Sequence, residues 1–392
     1  MRNMNRWRMA SLTTSAILSL FVPRGAHCLT PQELTGPTNL SFGASVALSG
    51  NTAVVGAPSY TGGYPGAAYV FTRTSRGWVQ AAILTPSDVQ AYDEFGLSVS
   101  ISGDDVVVGA PRHMLATYQQ GVAYVFVKPP AGWSNMTETA KLSAPDAQPV
   151  AYFGLSVAIS GNAILVGSPE QTIDGMDDRG AAYIFVEPKA GWTTTSQSTN
   201  EFIVPNSSEL GWTVALDAGT AVASAPGNGV AFLYAKPPNG WSRATLTAEL
   251  TTSTPDFQDF GAFTAIRGET ICVGAMLADN GIGAAYVYQE PSGGWQNMTQ
   301  TAILTPSDGV LVEEFGVSVS LSNSTIAVGA GYDDSGAGAV YLYSEPIDGW
   351  QNATENQKLL PPSGQHDFGH SVFLNYSTLF IGADDSSDVF VY

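Results

Sequence analysis

Acidic residues concentrate in a few short segments whose composition suits cation binding or acid–base chemistry. Examples are SDVQAYDEF, EQTIDGMDDRG and GYDDSGAG. Carboxylate oxygens coordinate hard cations and pair with basic groups, and two carboxyl groups flanking a glycosidic bond can hydrolyse it. The competing interpretation is that these acids are solvated turn formers, and no spacing favours one pair as acid and base. The candidate binding residues are Asp93, Glu94, Asp174, Asp177, Asp178, Asp279, Glu313, Glu314, Asp333 and Asp334.

Other catalytic patterns are absent from the sequence. No serine lies in a nucleophile elbow, and neither a phosphate-binding loop nor a dinucleotide fingerprint occurs. His366 and His370 bracket the segment HDFGH, but this segment is predicted to begin a strand, so the two rings lack the geometry of a helical metal pair. We therefore predict no catalytic residue and assign no metal ligand.

The acids must be positioned by a repeat, because one phrase returns along the whole chain. The dipeptide Phe-Gly, or Leu-Gly once, recurs at intervals of 50 to 58 residues. A fixed internal period of this length is typical of propellers and solenoids. The seven copies begin at Phe42, Phe95, Phe153, Leu210, Phe260, Phe315 and Phe368.

Each copy predicts four strands. Leu97, Val99 and Ile101 alternate with serines, as in a strand, and a tight turn then leads to the apolar run VVVGAP. A third strand of the type AYVF follows, and Gly-Trp opens a fourth. Seven such sheets favour an all-β, seven-bladed propeller of four-stranded antiparallel blades. A β-sandwich also has regular strands, but it would not need seven self-similar units.

The two ends of the chain predict how the ring closes. The seventh copy stops at VFVY, residues 389–392, and lacks its fourth strand. The segment CLTPQEL near the other end resembles the fourth strands of other copies, such as ILTPSD. We expect Leu29-Thr30-Pro31 to complete the last blade, so that no sheet edge is left unpaired.

Strand direction then predicts which face binds. Adjacent strands run antiparallel, so the loops between strands 2 and 3 and between blades share one rim. These loops are the long and variable ones, and they hold the candidate acids. Variable loops on a rigid scaffold commonly carry function. The sequence thus predicts an acidic rim that engages a protein or glycan partner.

The motifs FGxSVxxSG, VVGAP and GAAYVF, in register, resemble FG-GAP repeats, the propeller units of integrin α-subunit heads and of many secreted proteins. The resemblance covers residues 29–392 and implies a seven-bladed propeller with a role in adhesion or ligand binding. It also implies calcium loops of the type D-x-D-x-D-G between the first two strands. The corresponding turns here, such as SGDD and RGET, lack those oxygens. No cofactor is predicted, and calcium at the acidic rim stays an open alternative.

The first 28 residues are typical of a secretion signal. A basic segment, MRNMNRWRM, precedes the apolar run ASLTTSAILSLFV, and Ala26 and Cys28 suit cleavage before Leu29. We predict a signal peptide at 1–28, a propeller at 29–392 and a secreted protein without membrane insertion. An uncleaved anchor is the alternative.

The net charge limits the classes of partner, and the cysteine content predicts a free thiol. The chain has net charge −19, and its first 28 residues contain four Arg and no acid. The remainder therefore has 34 acidic and 11 basic residues, a net −23, which excludes nucleic acid and anionic lipid as natural partners. Cys272 replaces a valine of the repeat, so it is expected to be a buried thiol without a disulfide.

The sequence as a whole favours a secreted, monomeric, non-enzymatic binding protein. The main alternative is a secreted carbohydrate-active hydrolase or lyase that uses rim carboxylates, and a third is an architectural component. Candidate N-glycosylation sites, several of which fall at one repeat position, are Asn39, Asn135, Asn206, Asn297, Asn323, Asn352 and Asn375.

Overall fold

The computed structural model describes the chain from residue 30 onward, in seven segments. The described residues are 30–60, 63–88, 90–253, 259–309, 314–332, 336–362 and 364–392. They form seven sheets, each built on four antiparallel strands, and Met298–Thr299 adds a short parallel strand to the sheet of blade 4. The predicted all-β, seven-bladed propeller is therefore confirmed. The predicted signal at 1–28 lies outside the described residues and stays a prediction.

In blades 1 to 6 the four antiparallel strands run in chain order from the axis outward, and in blade 7 the outermost strand comes from the beginning of the described chain. The inner strands are Ser45–Ser49, Val99–Ser102, Val157–Ser160, Val214–Asp217, Phe263–Arg267, Phe315–Ser322 and Ser371–Asn375. The second strands are Thr52–Ala57, Asp105–Ala110, Ala163–Ser168, Thr220–Ala225, Thr270–Ala275, Thr325–Ala330 and Thr378–Ala383.

The outer half of each blade follows the same order. The third strands are Ala67–Thr74, Val122–Val127, Ala181–Val186, Val230–Ala235, Ala284–Gln289, Ala339–Ser344 and Asp388–Val391. The fourth strands of blades 1 to 6 are Gly77–Leu84, Ala140–Leu142, Asn200–Phe202, Leu246–Thr251, Ala302–Leu304 and Gln357–Leu359. The short remaining elements are strand Met298–Thr299 and the helical turns Pro226–Asn228, Trp241–Arg243 and Ala278–Gly281.

The inner strands surround the axis. Each contacts the inner strand of the next blade, and that of blade 7 contacts that of blade 1. Second strands such as Thr52–Ala57 are buried along their whole length, because neighbouring blades cover both faces of the sheet. This explains their continuous apolar sequence. Cys272 is buried in one of them as a free thiol, as expected.

The two glycine motifs of the repeat meet between blades. A Cβ on Gly109, in the GAP motif of blade 2, would lie 1.9 Å from the carbonyl oxygen of Gly154, in the Phe-Gly of blade 3. No other residue fits such an approach. The Ser98 hydroxyl donates a hydrogen bond to the same Gly154 oxygen at 2.9 Å. The motifs recur together because each blade packs its backbone against the next.

The ring is closed by a strand from the beginning of the described chain. Strand Gln32–Thr35 pairs antiparallel with Asp388–Val391 and completes blade 7. The Gln32 side chain also donates to the Trp78 carbonyl at 2.7 Å and accepts from its N–H at 2.8 Å. Closure by this region was expected, but the strand begins at Gln32 rather than spanning Leu29-Thr30-Pro31. Pro31 has no N–H to donate to a ladder, and pairing starts after it.

Candidate functional site

One end of the axis carries a ring of equivalent residues, which we call the axial mouth. Each member directly precedes the Phe-Gly or Leu-Gly of a blade and leads into its inner strand. All seven have left-handed backbone conformations, with φ between 44° and 63°, which is strained for residues other than glycine. Five of the seven are acids. The members are Ser41, Glu94, Tyr152, Glu209, Asp259, Glu314 and Asp367.

Burial destabilises the charged form of several mouth acids. It raises the pKa of Glu94 and of Asp259, although Arg112, 3.0 Å from Glu94, counteracts the shift at Glu94. The pKa of Glu314 is raised by burial and then by the charge of Asp367. A cationic group placed at the mouth would therefore be favoured.

Tyr60 is a residue whose pKa is affected by acids from different blades near the mouth. Tyr60 follows the second strand of blade 1. Its pKa is raised by partial burial and then by the charges of Asp384, Glu94 and Asp367, which belong to blades 7, 2 and 7. The inner strands line an axial cavity of about 530 Å³ that reaches the turn ends of those strands, at Gly50, Asp217 and Tyr376, and none of the seven mouth residues lines it.

A His–Asp–Asp group in blade 7, the His370 cluster, lies at the mouth. His370 Nδ1 is 3.1 Å from Asp367 Oδ2 and 3.6 Å from Asp384 Oδ1. Asp367 and Asp384 are buried, with 8% and 6% of their surface exposed. The Oδ1 atom of each has no hydrogen-bond partner among the described residues.

The protonation of the His370 cluster follows from its contacts. Burial would lower the pKa of His370, but the hydrogen bond to Asp367 and the charges of Asp384, Asp367 and Glu314 raise it to about 9. Burial, and then the carboxyl group of Asp367, raise the pKa of Asp384 to about 7. Burial opposes ionisation of Asp367 too, yet its hydrogen bonds to His370 and Asp384 hold its pKa below the usual range.

Two departures from the repeat create this cluster. Asp384 stands where blades 1 to 3 have the proline of GAP or GSP, and Gly331 occupies the same position in blade 6. A Cβ on Gly331 would lie 2.3 Å from Asp367 Oδ1. The glycine therefore makes room for the Asp367 carboxylate, and the substituted proline supplies the second one.

A similar group in blade 2, the His113 cluster, is internally satisfied. His113, 1% exposed, has its Nδ1 2.8 Å from Asp93 Oδ2 and its Nε2 3.4 Å from Asp88 Oδ2. Asp88 also accepts hydrogen bonds from Lys141 at 2.6 Å and from the Tyr124 hydroxyl at 3.0 Å. Each carboxylate thus has partners within the protein.

The Asp–Tyr–Lys arrangement around Asp88 recurs as a structural contact between blades. In blade 6, Asp308 accepts from the Tyr341 hydroxyl at 3.0 Å and from Lys358 at 2.8 Å. These acids follow the outer strand of one blade and bond to the third and fourth strands of the next. They are therefore inter-blade contacts as well as rim residues.

The structure separates the ten acids of the predicted rim. Glu94 and Glu314 lie at the mouth, whereas Asp93 is buried in the His113 cluster. Asp174, Asp177 and Asp178 share one blade 3 loop, where Asp177 accepts from Thr172 at 3.0 Å. Asp279 lies in the helical turn of blade 5 with φ 51°. The residues outside the described part are Glu313, Asp333 and Asp334.

The sequence prediction missed Glu209, Asp259 and Asp384. The first two were recognisable as members of one aligned column, the position before Phe-Gly or Leu-Gly. Asp384 was recognisable as the loss of a repeated proline. His366, which the sequence placed beside His370, is exposed, and its backbone N–H bonds to Ser386.

Three of the candidate glycosylation sites make the same inter-blade contact. The side-chain oxygens of Asn135, Asn297 and Asn352 accept from the N–H groups of Ile83, Glu249 and Ile303 at 2.8 to 2.9 Å. Each bond ties the segment after Gly-Trp to the outer strand of the preceding blade. All three are exposed, so modification of these and the other sequons stays a prediction.

Among the described residues, no helix has the length and apolar character needed to cross a bilayer.

Comparisons with known proteins agree with this architecture. The family model of the FG-GAP repeat matches residues 36–71, 78–126, 136–185 and 298–343. Integrin alpha-X of Homo sapiens is 28% identical over 144 residues, which are 34% of this chain and 12% of that protein. The chain thus spans only 12% of the length of this curated relative.

A solved structure shares the fold. A putative 6-phosphogluconolactonase from Bacteroides fragilis NCTC 9343 superposes with a TM-score of 0.56 over 87% of this chain and 89% of that one, at 10% identity. An identity this low supports the fold alone.

Proposed function

We propose that this chain, a seven-bladed propeller of FG-GAP repeats similar to part of an integrin alpha chain, is a non-enzymatic binding protein. Its binding site is the axial mouth, and its partner is a protein or glycan that presents a basic group there. We further propose that it is secreted, acts as a monomer and needs no cofactor for this role.

One observation carries the proposal: five of the seven equivalent mouth positions hold acids. Burial raises the pKa of Glu94, Asp259 and Glu314. Arg112 pairs with Glu94, whereas the negative charge of Asp259 and Glu314 is less well compensated within the protein. A lysine, arginine or amino-sugar group of a partner would supply the missing charge. The other predicted rim acids of the described chain, Asp174, Asp177, Asp178 and Asp279, are proposed as a secondary contact area. Glu313, Asp333 and Asp334 lie outside the described residues and stay predicted binding residues.

The test compares charge removal at the mouth with equal charge removal elsewhere. The purified protein is screened against basic peptides and glycans, and the affinity of the best ligand is measured by biolayer interferometry. The mouth variant is Glu209→Gln, Asp259→Asn and Glu314→Gln. The control variant changes three acids on the opposite face of the propeller, where the turns between strands 1 and 2 lie. These changes are Asp104→Asn, Glu187→Gln and Glu345→Gln.

We expect the mouth variant to bind at least about tenfold more weakly and the control variant to bind within about twofold of the unmodified protein. Added salt should weaken ligand binding by the unmodified protein, since the contact is electrostatic. Equal losses in both variants would show that net charge, not the mouth, determines binding. Failure of every basic ligand to bind would overturn the proposal.

The alternative of a hydrolase or lyase has one specific observation in its favour. The pKa of Asp384 is raised to about 7 whereas that of its neighbour Asp367 is held below its usual range, and pairs whose pKa values are pushed apart in this way can divide acid and base roles. Incubation of the protein with the glycans that it binds tests this alternative. Our proposal expects no product, and product whose formation is lost in Asp384→Asn would favour the enzyme.

A further inference from the structure

We propose that the His370 cluster binds one divalent transition-metal ion of the Zn²⁺ class, with Asp367, His370 and Asp384 as its protein ligands. This site lies at the axial mouth but does not depend on the proposed partner, since the three ligands belong to blade 7 alone.

The donor atoms already have the spacing that one ion requires. One ligand atom from each of the three residues lies within 4.8 Å of the other two. The separations from His370 Nδ1 are 3.1 Å to Asp367 Oδ2 and 3.6 Å to Asp384 Oδ1. Two ligands bound to one tetrahedral Zn²⁺ at about 2.1 Å are about 3.4 Å apart. Small side-chain movements would therefore suffice.

The second observation is the unmet bonding capacity of the two carboxylates. Asp367 Oδ1 and Asp384 Oδ1 are buried and accept no hydrogen bond from the described residues. The Asp384 atom without a partner is also the one that faces the imidazole. Leaving a buried carboxylate oxygen unpaired is costly unless a cation or donor occupies the space beside it.

Donor type selects the metal. One imidazole nitrogen and two carboxylates suit Zn²⁺ and neighbouring transition metals, whereas Ca²⁺ and Mg²⁺ favour all-oxygen sites. The His370 side chain is 34% exposed, so an ion can enter from the mouth. Three protein ligands leave a fourth position for water or for a donor group of a partner. Glu314 adds negative charge nearby.

The test is an isothermal titration calorimetry experiment in which Zn²⁺ is added to the purified, chelator-treated protein. We expect one equivalent to bind, and about tenfold or greater loss of affinity in Asp384→Asn and in His370→Asn. The matched control is His366→Asn, which changes the exposed neighbouring histidine and should leave affinity unchanged. Thermal unfolding of each variant verifies that it is folded.

A second measurement tests the coordination number of the site by spectroscopy. Co²⁺ should give the visible absorption bands of a four-coordinate site, and Zn²⁺ should abolish them while excess Mg²⁺ should not. The proposal is overturned if no Zn²⁺ binds, if both cluster variants bind as tightly as the unmodified protein, or if His366→Asn loses affinity equally. A protein that binds Zn²⁺ but no basic partner would support this site and refute the proposed function, and the reverse result would do the opposite.

Discussion

Two clusters in this propeller each place one histidine between two aspartates, yet their surroundings differ. In the His113 cluster, Lys141 and the Tyr124 hydroxyl complete the coordination of Asp88, and the histidine is 1% exposed. In the His370 cluster, two buried carboxylate oxygens have no hydrogen-bond partner in the described part, and the histidine opens to the mouth. The same residue types therefore serve as a closed inter-blade contact in blade 2 and as a candidate site in blade 7.

The difference has a cause in the strand pairs next to each cluster. Tyr124 lies opposite Lys141 in blade 2, and Tyr341 lies opposite Lys358 in blade 6. The corresponding pair in blade 7 is Phe390 opposite Glu33, which offers neither a hydroxyl nor an ammonium group. Blade 7 takes its outer strand from the other end of the chain, and that strand places Glu33 where blades 2 and 6 have a lysine.

The largest expected effect is on the histidine of the closed cluster. His113→Asn removes the side-chain partner of Asp93, a carboxylate that is 2% exposed and that keeps only the Gln90 N–H among the described residues, and should lower the free energy of unfolding by about 3–5 kcal/mol. His370→Asn should lower it by less, about 1–2 kcal/mol, because Asp367 loses its bond to His370 but keeps the one to Asp384. Urea denaturation in chelator measures both, and equal losses would contradict the contrast.

Replacing an aspartate by asparagine should change the stability of the protein in opposite directions in the two clusters. Asp88→Asn removes a carboxylate bonded to Lys141 and Tyr124, and it should destabilise the protein by about 1–3 kcal/mol near neutral pH. Asp384→Asn replaces a carboxyl group whose charge is unfavourable in the fold, and it should leave stability unchanged or raise it by about 1 kcal/mol. Paired melting curves in chelator test this, and destabilisation by both variants would count against it.

The effect of Asp384→Asn should depend on pH. Burial and Asp367 raise the Asp384 pKa from 3.8 to about 7, so its stabilising contribution is complete below about pH 4 and is lost as pH rises through 7. The groups that set this shift are Asp367, Asp385 and, with opposite sign, His370. The gain in melting temperature should therefore grow from about pH 4 to about pH 8. A difference that stays constant across this range would refute the assignment.

The smallest effect is expected at a surface ion pair, which sets the baseline. Asp104 is 69% exposed, and its Oδ1 lies 3.2 Å from Lys128 Nζ. Asp104→Asn should change the free energy of unfolding by less than about 0.5 kcal/mol. A larger change would mean that the measured differences between the two clusters include an effect of net charge.

Much of the fold could be predicted because the repeat encodes local contacts. Phe95 marks the entry into an inner strand, and Gly109 marks the close backbone approach that each blade makes with the next. Seven copies of this pattern therefore predicted seven blades. The closing strand was predicted in the right region but three residues early. Cys272 was placed correctly because it replaces a valine in the continuous apolar second strand of the repeat, which is buried.

The candidate site was harder to predict, because acid content does not distinguish a paired carboxylate from an unpaired one. Asp93 and Asp384 look alike as letters in acidic loops. Asp93 is held by His113 at 2.8 Å, whereas Asp384 faces a histidine already bonded to Asp367. That distinction depends on atoms contributed by other strands.

The sequence by itself determined the number of blades, their strand order, the glycine contacts between them and the acidic character of the loops, since these follow from periodicity and local sterics. The tertiary structure decided which acids meet. It brought Asp384 to Asp367 and His370 across two strands, and it gave blade 7 a Phe390–Glu33 pair in place of a tyrosine and a lysine. Desolvation and pairing of charge depend on three-dimensional neighbours, and for that reason only the folded ring separates structural acids from those free to bind.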